Sequence, residues 1–553
     1  MTRTDAGRTT APTFAEGPPS LGRATLIAAC LAICVAQIGI PLASPIIGEI
    51  QRDFGASAAA LAWIPAAFIL PTAILELNFG VLGDLFGRKR LLVLGGLLIT
   101  AGCLVVATSG SLTQLIAGQA IAGLGAAAVF PSSLAVIVAG TPEPAARARA
   151  LSYWAVSLAF GAMIAPLISG YTAEHTNWHW AYVPLAVLGL VTAAVSVRWI
   201  VDSREPAGRG LDWPGQITVA VSLLALLYAV IEGANDGYTS AHIVLAFAIA
   251  LAAFVGFLVA ERKARAPMLR LELFRIPSFA AAAAIGLLAM FGFIGTAYAL
   301  SIKLETVYHL SPLQSALPFA LIQAVPLLLT PVLPKLLQRV HSRVLLVGGL
   351  LSLAAGEIWM ALLPGDATDL ASMTGPILLL GVGFITMFSA LTAVAVGSVD
   401  IRHAGMASAV TSLVRETGQA LGPAIVSAVA LGTASSALSA KLGAAKLPAE
   451  AKGVASAVNA DGGAIAVANA DLGELSRTLV PLAREALEAS LDLGLYLCAG
   501  ASLVAALIAV LVLQHRAAAD APAGLDSEEA RDISVTDEST DAAAPKATAL
   551  PSN

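Results

Sequence analysis

Apolar runs of about 20 residues recur along this chain, each bounded by Gly, Pro or a charged residue. A helix rising ~1.5 Å per residue needs about that length to cross a bilayer core of ~30 Å. Fourteen spans are predicted, near 25–47, 58–82, 91–109, 113–138, 149–171, 180–201, 214–233, 241–260, 279–302, 314–334, 344–363, 373–397, 405–433 and 490–513. Open-ended segments in lipid must satisfy their own backbone, and these runs are too long for barrel strands, so each span reads as a helix. The expected fold class is an all-α membrane protein.

The loops between spans alternate in charge. One set carries Arg88, Lys89 and Arg90, then Arg147 and Arg149, Arg198, Arg204 and Arg209, Arg262 to Arg275, Lys335, Arg339 and Arg343, and Arg402. The other set carries little beyond Arg52 and Lys303. Basic loops stay on the cytoplasmic side, which places both termini there. The stretch 435–485 has lysines on the outer side, but long loops escape the rule. Its Ala-rich periodicity suggests surface helices.

Composition sharpens this picture. The chain of 553 residues is 58% hydrophobic and only 12% charged, about half the usual charged share. Met1 to Leu21 is polar and unlike a cleavable signal peptide. Residues 515–553 read as a disordered acidic tail. The net charge of −5 says little about partners, since much of it sits in that tail; the lipid bilayer, a small-molecule substrate and protons are the expected partners, with no nucleic acid. Cys30, Cys34, Cys103 and Cys498 sit in apolar runs and read as buried thiols. Neither a phosphate loop nor a His-Glu-x-x-His metal motif occurs, and the seven histidines are scattered. An ATP-driven pump, an enzyme, and a metal or other cofactor are therefore not expected.

GVLGDLFGR (80–88) has an echo in PVLPKLLQR (331–339), with Val, Leu, Leu and Arg in register; each is soon followed by Gly-Gly-Leu-Leu. Both follow the second helix of a six-helix block. The expected division is a tail (1–21), an N-terminal bundle (22–201) and two linker helices (202–276). A C-terminal bundle (277–514, including the outer loop) and the acidic tail follow. Repeated bundles around a midplane site are the architecture of secondary transporters.

GVLGDLFGRKR (80–90) resembles the signature loop between helices 2 and 3 of the major facilitator superfamily. Trp63, LIAGQAIAGLGAA (115–127), FGAMIAPLISG (160–170), LDWPG (211–215) and GMASAVTSLVRETGQALG (405–422) resemble its fourteen-helix drug:proton antiporter branch. The resemblance implies two six-helix bundles plus two central helices. It implies a monomeric, multi-pass efflux transporter of a bacterial plasma membrane, exchanging small amphiphilic compounds for protons by alternating access. A dedicated metabolite or antibiotic exporter without proton coupling, or a transport-dead sensor, is the alternative.

In the motif loop, Gly80, Asp84 and Arg88 share one helix face, Gly80 and Gly83 admit a close neighbour, Gly87 allows the turn, and Lys89 anchors the loop. By resemblance, Asp84 engages the start of the thirteenth span, near Arg402 to Ser408. Gly161, Pro166 and Gly170 carry the fifth-span antiporter-like motif. Two departures stand out: the usual first-span acid is replaced at Ala36 or Gln37, and the usual fourth-span arginine by Gln119. Proton coupling then falls to other intramembrane ionisable groups, which are functional candidates by default: Glu76, Arg415 and Glu416. Gln37, Gln119, Lys303 and Glu305 are cavity candidates, Lys303 and Glu305 also as an outer-gate pair. Glu357 reads as structural and Glu232 as interfacial.

Overall fold

The computed structural model describes residues 21–513 except 142, 205–209, 265, 266, 268, 366, 367, 400–403, 446 and 471. Both tails and Arg402 therefore lie outside the described residues. Among the described residues the secondary structure is entirely helical. In chain order the helices are α1 (Arg23–Ile38), α2 (Ile47–Phe54), α3 (Ala58–Phe86), α4 (Arg88–Ala107), α5 (Leu112–Gly140) and α6 (Pro144–His175). There follow α7 (Tyr182–Trp199), α8 (Trp213–Asp236), α9 (Ala241–Lys263), α10 (Pro277–Ile302), α11 (Pro312–Leu329) and α12 (Leu333–Arg339). The last are α13 (Ser342–Ala361), α14 (Leu370–Gly397), α15 (Ala404–Val426), α16 (Gly432–Ala444), α17 (Ala449–Asn469) and α18 (Ser476–Val512).

Thirteen of these segments are long and apolar enough to cross a membrane, and α1 is a shorter apolar helix. The expected first span stops early, at Ile38, because Gly39, Pro41 and Pro45 break it; a 3₁₀ turn and α2 follow. Pro331 and Pro334 likewise end the tenth span at Leu329 and start α12. Pro41, Pro45 and Pro331 thus stand between helices rather than inside spans. The stretch 435–485 is helical as expected, forming most of α16, α17 and the first turns of α18, with Lys441 paired to Glu485 at 2.6 Å.

Six helices (α1, α3–α7) pack as one bundle and six (α10, α11, α13–α15, α18) as another, with corresponding pairs in contact. In the absence of a hydrophobic drive between helices in lipid, small residues let backbones approach. Gly95 lies against the Gly125 carbonyl, and Gly349 against the Gly383 carbonyl, at matching crossings of the two bundles. A Cβ at Gly161 would overlap the Cys34 carbonyl, and one at Gly418 would overlap the Leu287 carbonyl. The echo in sequence is thus an echo in packing. Helices α8 and α9 pair with each other, and α8 lies against both α3 and α15.

Candidate functional site

A cavity of about 110 Å³ lies between the bundles. Gln37 of α1, Pro65 and Ile69 of α3 and Pro166 of α6 line one side; Tyr298, Gln323 and Gln419 are polar groups on the other. Phe293 and Phe384 stack across its wall with centroids 4.2 Å apart. A mostly apolar chamber with a few amide and hydroxyl groups suits an amphiphilic guest, because the polar groups fix orientation and the walls supply the burial.

The bundles meet closely at the end bearing α2. There Glu174 of α6 accepts from the Ser311 hydroxyl at 2.6 Å and from the Leu313 amide at 3.0 Å, at the head of α11. These bonds hold the Glu174 carboxylate against the α11 N-terminus, where a helix favours negative charge. A Cβ at Gly170 would stand 2.6 Å from the Pro312 carbonyl. Ser427 donates to the Ala58 carbonyl at 2.8 Å, and Gly48 N donates to Glu305 at 2.7 Å. Ser427 and Glu305 both lie in π-helical turns, Ser427–Leu431 and Lys303–Val307. Such turns insert a residue into a helix and recur at functional sites.

The charged candidates separate into three groups. Glu76 and Glu416 meet carboxyl to carboxyl across the α3–α15 interface. Glu416 Oε2 is buried and accepts no hydrogen bond. Arg415 stacks on Phe388 at 4.3 Å from the ring centre and donates to Thr392 and Ser412. Arg415 and Glu416 stand one turn from the cavity-lining Gln419, and Glu76 two turns from Ile69.

Lys303 and Glu305 do not pair with each other. Lys303, fully buried, binds Asp492 of α18 at 2.6 Å, and Glu305 caps α2 instead. Neither lines the cavity. Asp492 is not among the expected site residues, although it falls within the predicted span 490–513 and an ionisable group within a span is the signal that marks Glu76. Gln119 is also away from the cavity: it is 2% exposed and donates to the Tyr182 hydroxyl inside the first bundle. Glu357 is buried and accepts from the hydroxyl of the cavity-lining Thr296 at 3.3 Å. Glu232 accepts from Trp63 Nε1 at 2.8 Å, joining α8 to α3.

In the motif loop, Arg88 binds Asp84 at 2.7 Å and the Ala135 carbonyl at 3.2 Å. Asp84 thus pairs within its own bundle; the segment expected to meet it, 402–408, lies partly outside the described residues. Gly87 has φ +107, and a Cβ there would collide with the Asp202 carboxylate, which also accepts from Lys89 N. Gly80 and Gly83 have room for a methyl group, the nearest atoms being 3.6 Å away. Close helix approach at this motif is not required in this conformation.

Two facing bundles of membrane-spanning helices around a central chamber define a solute carrier. The chain belongs to the Major Facilitator Superfamily, whose sequence model matches residues 29–423, and among its described residues thirteen helices are long and apolar enough to cross a membrane, with α1 a shorter apolar one. It is 28% identical over 405 residues to the multidrug resistance protein Stp of Mycobacterium tuberculosis, covering 73% of this chain and 75% of the relative. It is 29% identical over 427 residues to the multidrug efflux pump LfrA of Mycolicibacterium smegmatis, covering 75% and 84%. Its fold matches a bacterial homologue of the human lysosomal transporter Spinster with a TM-score of 0.59 at 17% identity, over 88% of this chain and 97% of that one. The chain is therefore a transporter rather than an enzyme, from a family of drug efflux proteins.

Proposed function

We propose that this transporter exports small amphiphilic organic compounds across a bacterial plasma membrane in exchange for protons. The observation that carries the reading is the Glu76–Glu416 contact, which joins the two bundles within two turns of the chamber. Two ionised carboxylates cannot rest against each other, so the contact holds a shared proton. Loss of that proton leaves two like charges at the interface, with Arg415 beside them, and drives the bundles apart there. Rocking of the bundles is thereby tied to proton release. With the basic loops inside, the end closed by Glu174, Gly170, Ser427 and Glu305 is the outer gate, and the chain loads from the cytoplasm.

The test is efflux of a dye and a compound panel from proteoliposomes, with and without a pH gradient, for wild type, Glu76→Gln and Glu416→Gln. The gradient accelerates wild type and has little effect on either variant, while substrate-for-substrate exchange persists. Equal acceleration of all three proteins would remove the pair from the mechanism. No acceleration of wild type would remove proton antiport itself.

A further inference from the structure

We propose that Glu357 of α13 is a second protonation site of the transport cycle, set behind the chamber wall and reached from the chamber through the Thr296 hydroxyl. The inference rests on the reading of the chain as a proton antiporter. It goes beyond the Glu76–Glu416 pair, which lies at the bundle interface, because Glu357 faces only helices of the second bundle.

Three helices of the second bundle meet at Gly292 of α10. A Cβ there would stand 3.0 Å from Ser502 Oγ and 3.1 Å from the Cys498 carbonyl, both of α18, and 3.2 Å from Glu357 Oε1 of α13. Glycine thus lets polar atoms of two neighbours crowd against α10. Glu357 and Ser502 are both 0% exposed. One turn along α10 from Gly292, Thr296 donates to Glu357 Oε1 at 3.3 Å. Among the described residues this is the one hydrogen bond that the carboxyl completes. Its Oε2 is buried without a partner, and so is the Ser502 hydroxyl beside it.

Among the described residues, the groups facing the carboxyl are neutral: the Thr296 and Ser502 hydroxyls and the Cys498 thiol. Helix α14, packed along α13, carries no titratable side chain. Arg343, at the start of α13, donates to the Val510 carbonyl. Lys303, two turns beyond Thr296 on α10, is held by Asp492. An ionised carboxylate taken out of water needs a partner charge or a full set of donors, and Glu357 has one donor. It is therefore the neutral acid in this conformation. Packing alone does not account for it, since a well-packed aliphatic chain holds such a site as well as a buried polar group does.

Thr296 ties this acid to the chamber. It lines the chamber beside Phe293 and Ala297 of the same helix, it touches Glu357, and at 2% exposed it closes the niche off. One hydroxyl therefore separates Glu357 from the space a guest occupies. When the chamber opens to water, the Thr296 hydroxyl turns to a water molecule. The Glu357 proton then passes to Thr296 Oγ1 as the Thr296 hydroxyl proton passes to that water. A carboxylate, an unchanged threonine and a hydronium ion remain, and loading runs the same transfers in reverse. Water reaching the niche also solvates the carboxylate, which ties release to an open chamber.

The experiment measures the steady accumulation ratio of ethidium in proteoliposomes at a gradient of about one pH unit, with the membrane potential clamped to zero. Each proton exchanged multiplies that ratio by about tenfold. Glu357→Gln keeps the hydrogen bond from Thr296 but holds no exchangeable acid proton, and its ratio falls about tenfold below wild type. Thr296→Val keeps the shape, removes the relay and lowers the ratio equally. A merely structural role slows transport in both directions and leaves the ratio at the wild-type value, which overturns the proposal. Infrared spectra of the detergent-solubilised protein serve for a variant that does not transport. Wild type shows the carbonyl band of a protonated carboxyl that Glu357→Gln lacks, and its shift in heavy water is slowed in Thr296→Val. The same bands in Glu357→Gln as in wild type, or equal exchange in Thr296→Val, also overturn it. Glu76→Gln run in parallel separates the two ideas. If it abolishes accumulation and Glu357→Gln leaves the ratio unchanged, the acid pair stands and the second site is wrong. If the gradient drives no accumulation in wild type, the antiport reading fails and the second site with it.

Discussion

The two bundles share their packing but divide their chemistry. Gly161 of the first and Gly418 of the second sit at matching crossings, each pressed against the backbone of its neighbour. Their buried charges do not match. The second bundle holds Lys303, Glu305, Glu357, Arg415 and Glu416. The first brings Glu76 to the interface and Glu174 to the head of α11; Gln37 lines the cavity, and Gln119 is buried within the bundle. Its Asp84–Arg88 pair, with Arg88 buried and Asp84 partly exposed, joins the end of α3 to the start of α4. Repeat symmetry therefore fixes where helices touch, while asymmetric substitutions decide which bundle holds charge.

The largest effect should come from breaking the charged half. Lys303→Met strands Asp492 in a site where the lysine side chain is 1% exposed. Removing one partner of a buried pair costs about 3–5 kcal/mol, so thermal unfolding in detergent should drop well below wild type. The double variant Lys303→Met, Asp492→Leu should regain most of the loss. A single variant as stable as wild type would mean the pair is not buried in the working protein.

The shared half gives the next effect. Gly161→Val and Gly418→Val each force a side chain onto a carbonyl, an overpacking that costs about 1–3 kcal/mol. Equal losses of stability in the two variants confirm that the crossings are equivalent; a loss in only one breaks the symmetry argument.

A third contrast sets gate against scaffold. Asp84→Asn removes a partly exposed i,i+4 pair, worth about 0.3–1 kcal/mol. Transport should fall severalfold while unfolding barely changes. Unchanged turnover would leave Asp84 as an anchor only.

The smallest effect concerns the loop before α14. Asp369 caps that helix by accepting from Ser372 N at 2.9 Å and from its hydroxyl at 2.7 Å. These bonds hold its carboxyl below the usual aspartate range. A depressed folded value adds stability that is complete above the unfolded value and fades as pH falls through the folded one. Wild type should therefore lose slightly more stability than Asp369→Asn, which keeps the cap, when pH drops below about 4. Parallel curves would refute the assignment.

Much of the fold was readable because lipid leaves a chain few choices. Runs of sufficient length become spanning helices, and proline stops mark where they end, as at Gly39–Pro45 and Thr330–Pro334. The alternation of basic loops orders the spans. The site was readable only as isolated acids. Glu76 and Glu416 stood out because charge is costly in lipid, but nothing local says that residues 340 positions apart in sequence meet. The expected Lys303–Glu305 pair failed for a related reason. A π-helical turn at Lys303–Val307 turns the two side chains toward different elements, Asp492 on α18 and Gly48 on α2. That turn depends on tertiary packing and leaves no periodicity to read. Gln119 misled because a polar residue in an apolar span can serve a neighbour within its own bundle as readily as a guest.

The most direct test of the central claim joins the bundles where they close. In a background lacking native cysteines, Glu174→Cys and Ser311→Cys place two thiols where a hydrogen bond of 2.6 Å now spans α6 and the head of α11. A disulfide across that pair should form readily, stop transport, and release it again on reduction. Transport that continues at the wild-type rate with the disulfide intact would show that the two bundles do not part there, and would contradict alternating access through this gate.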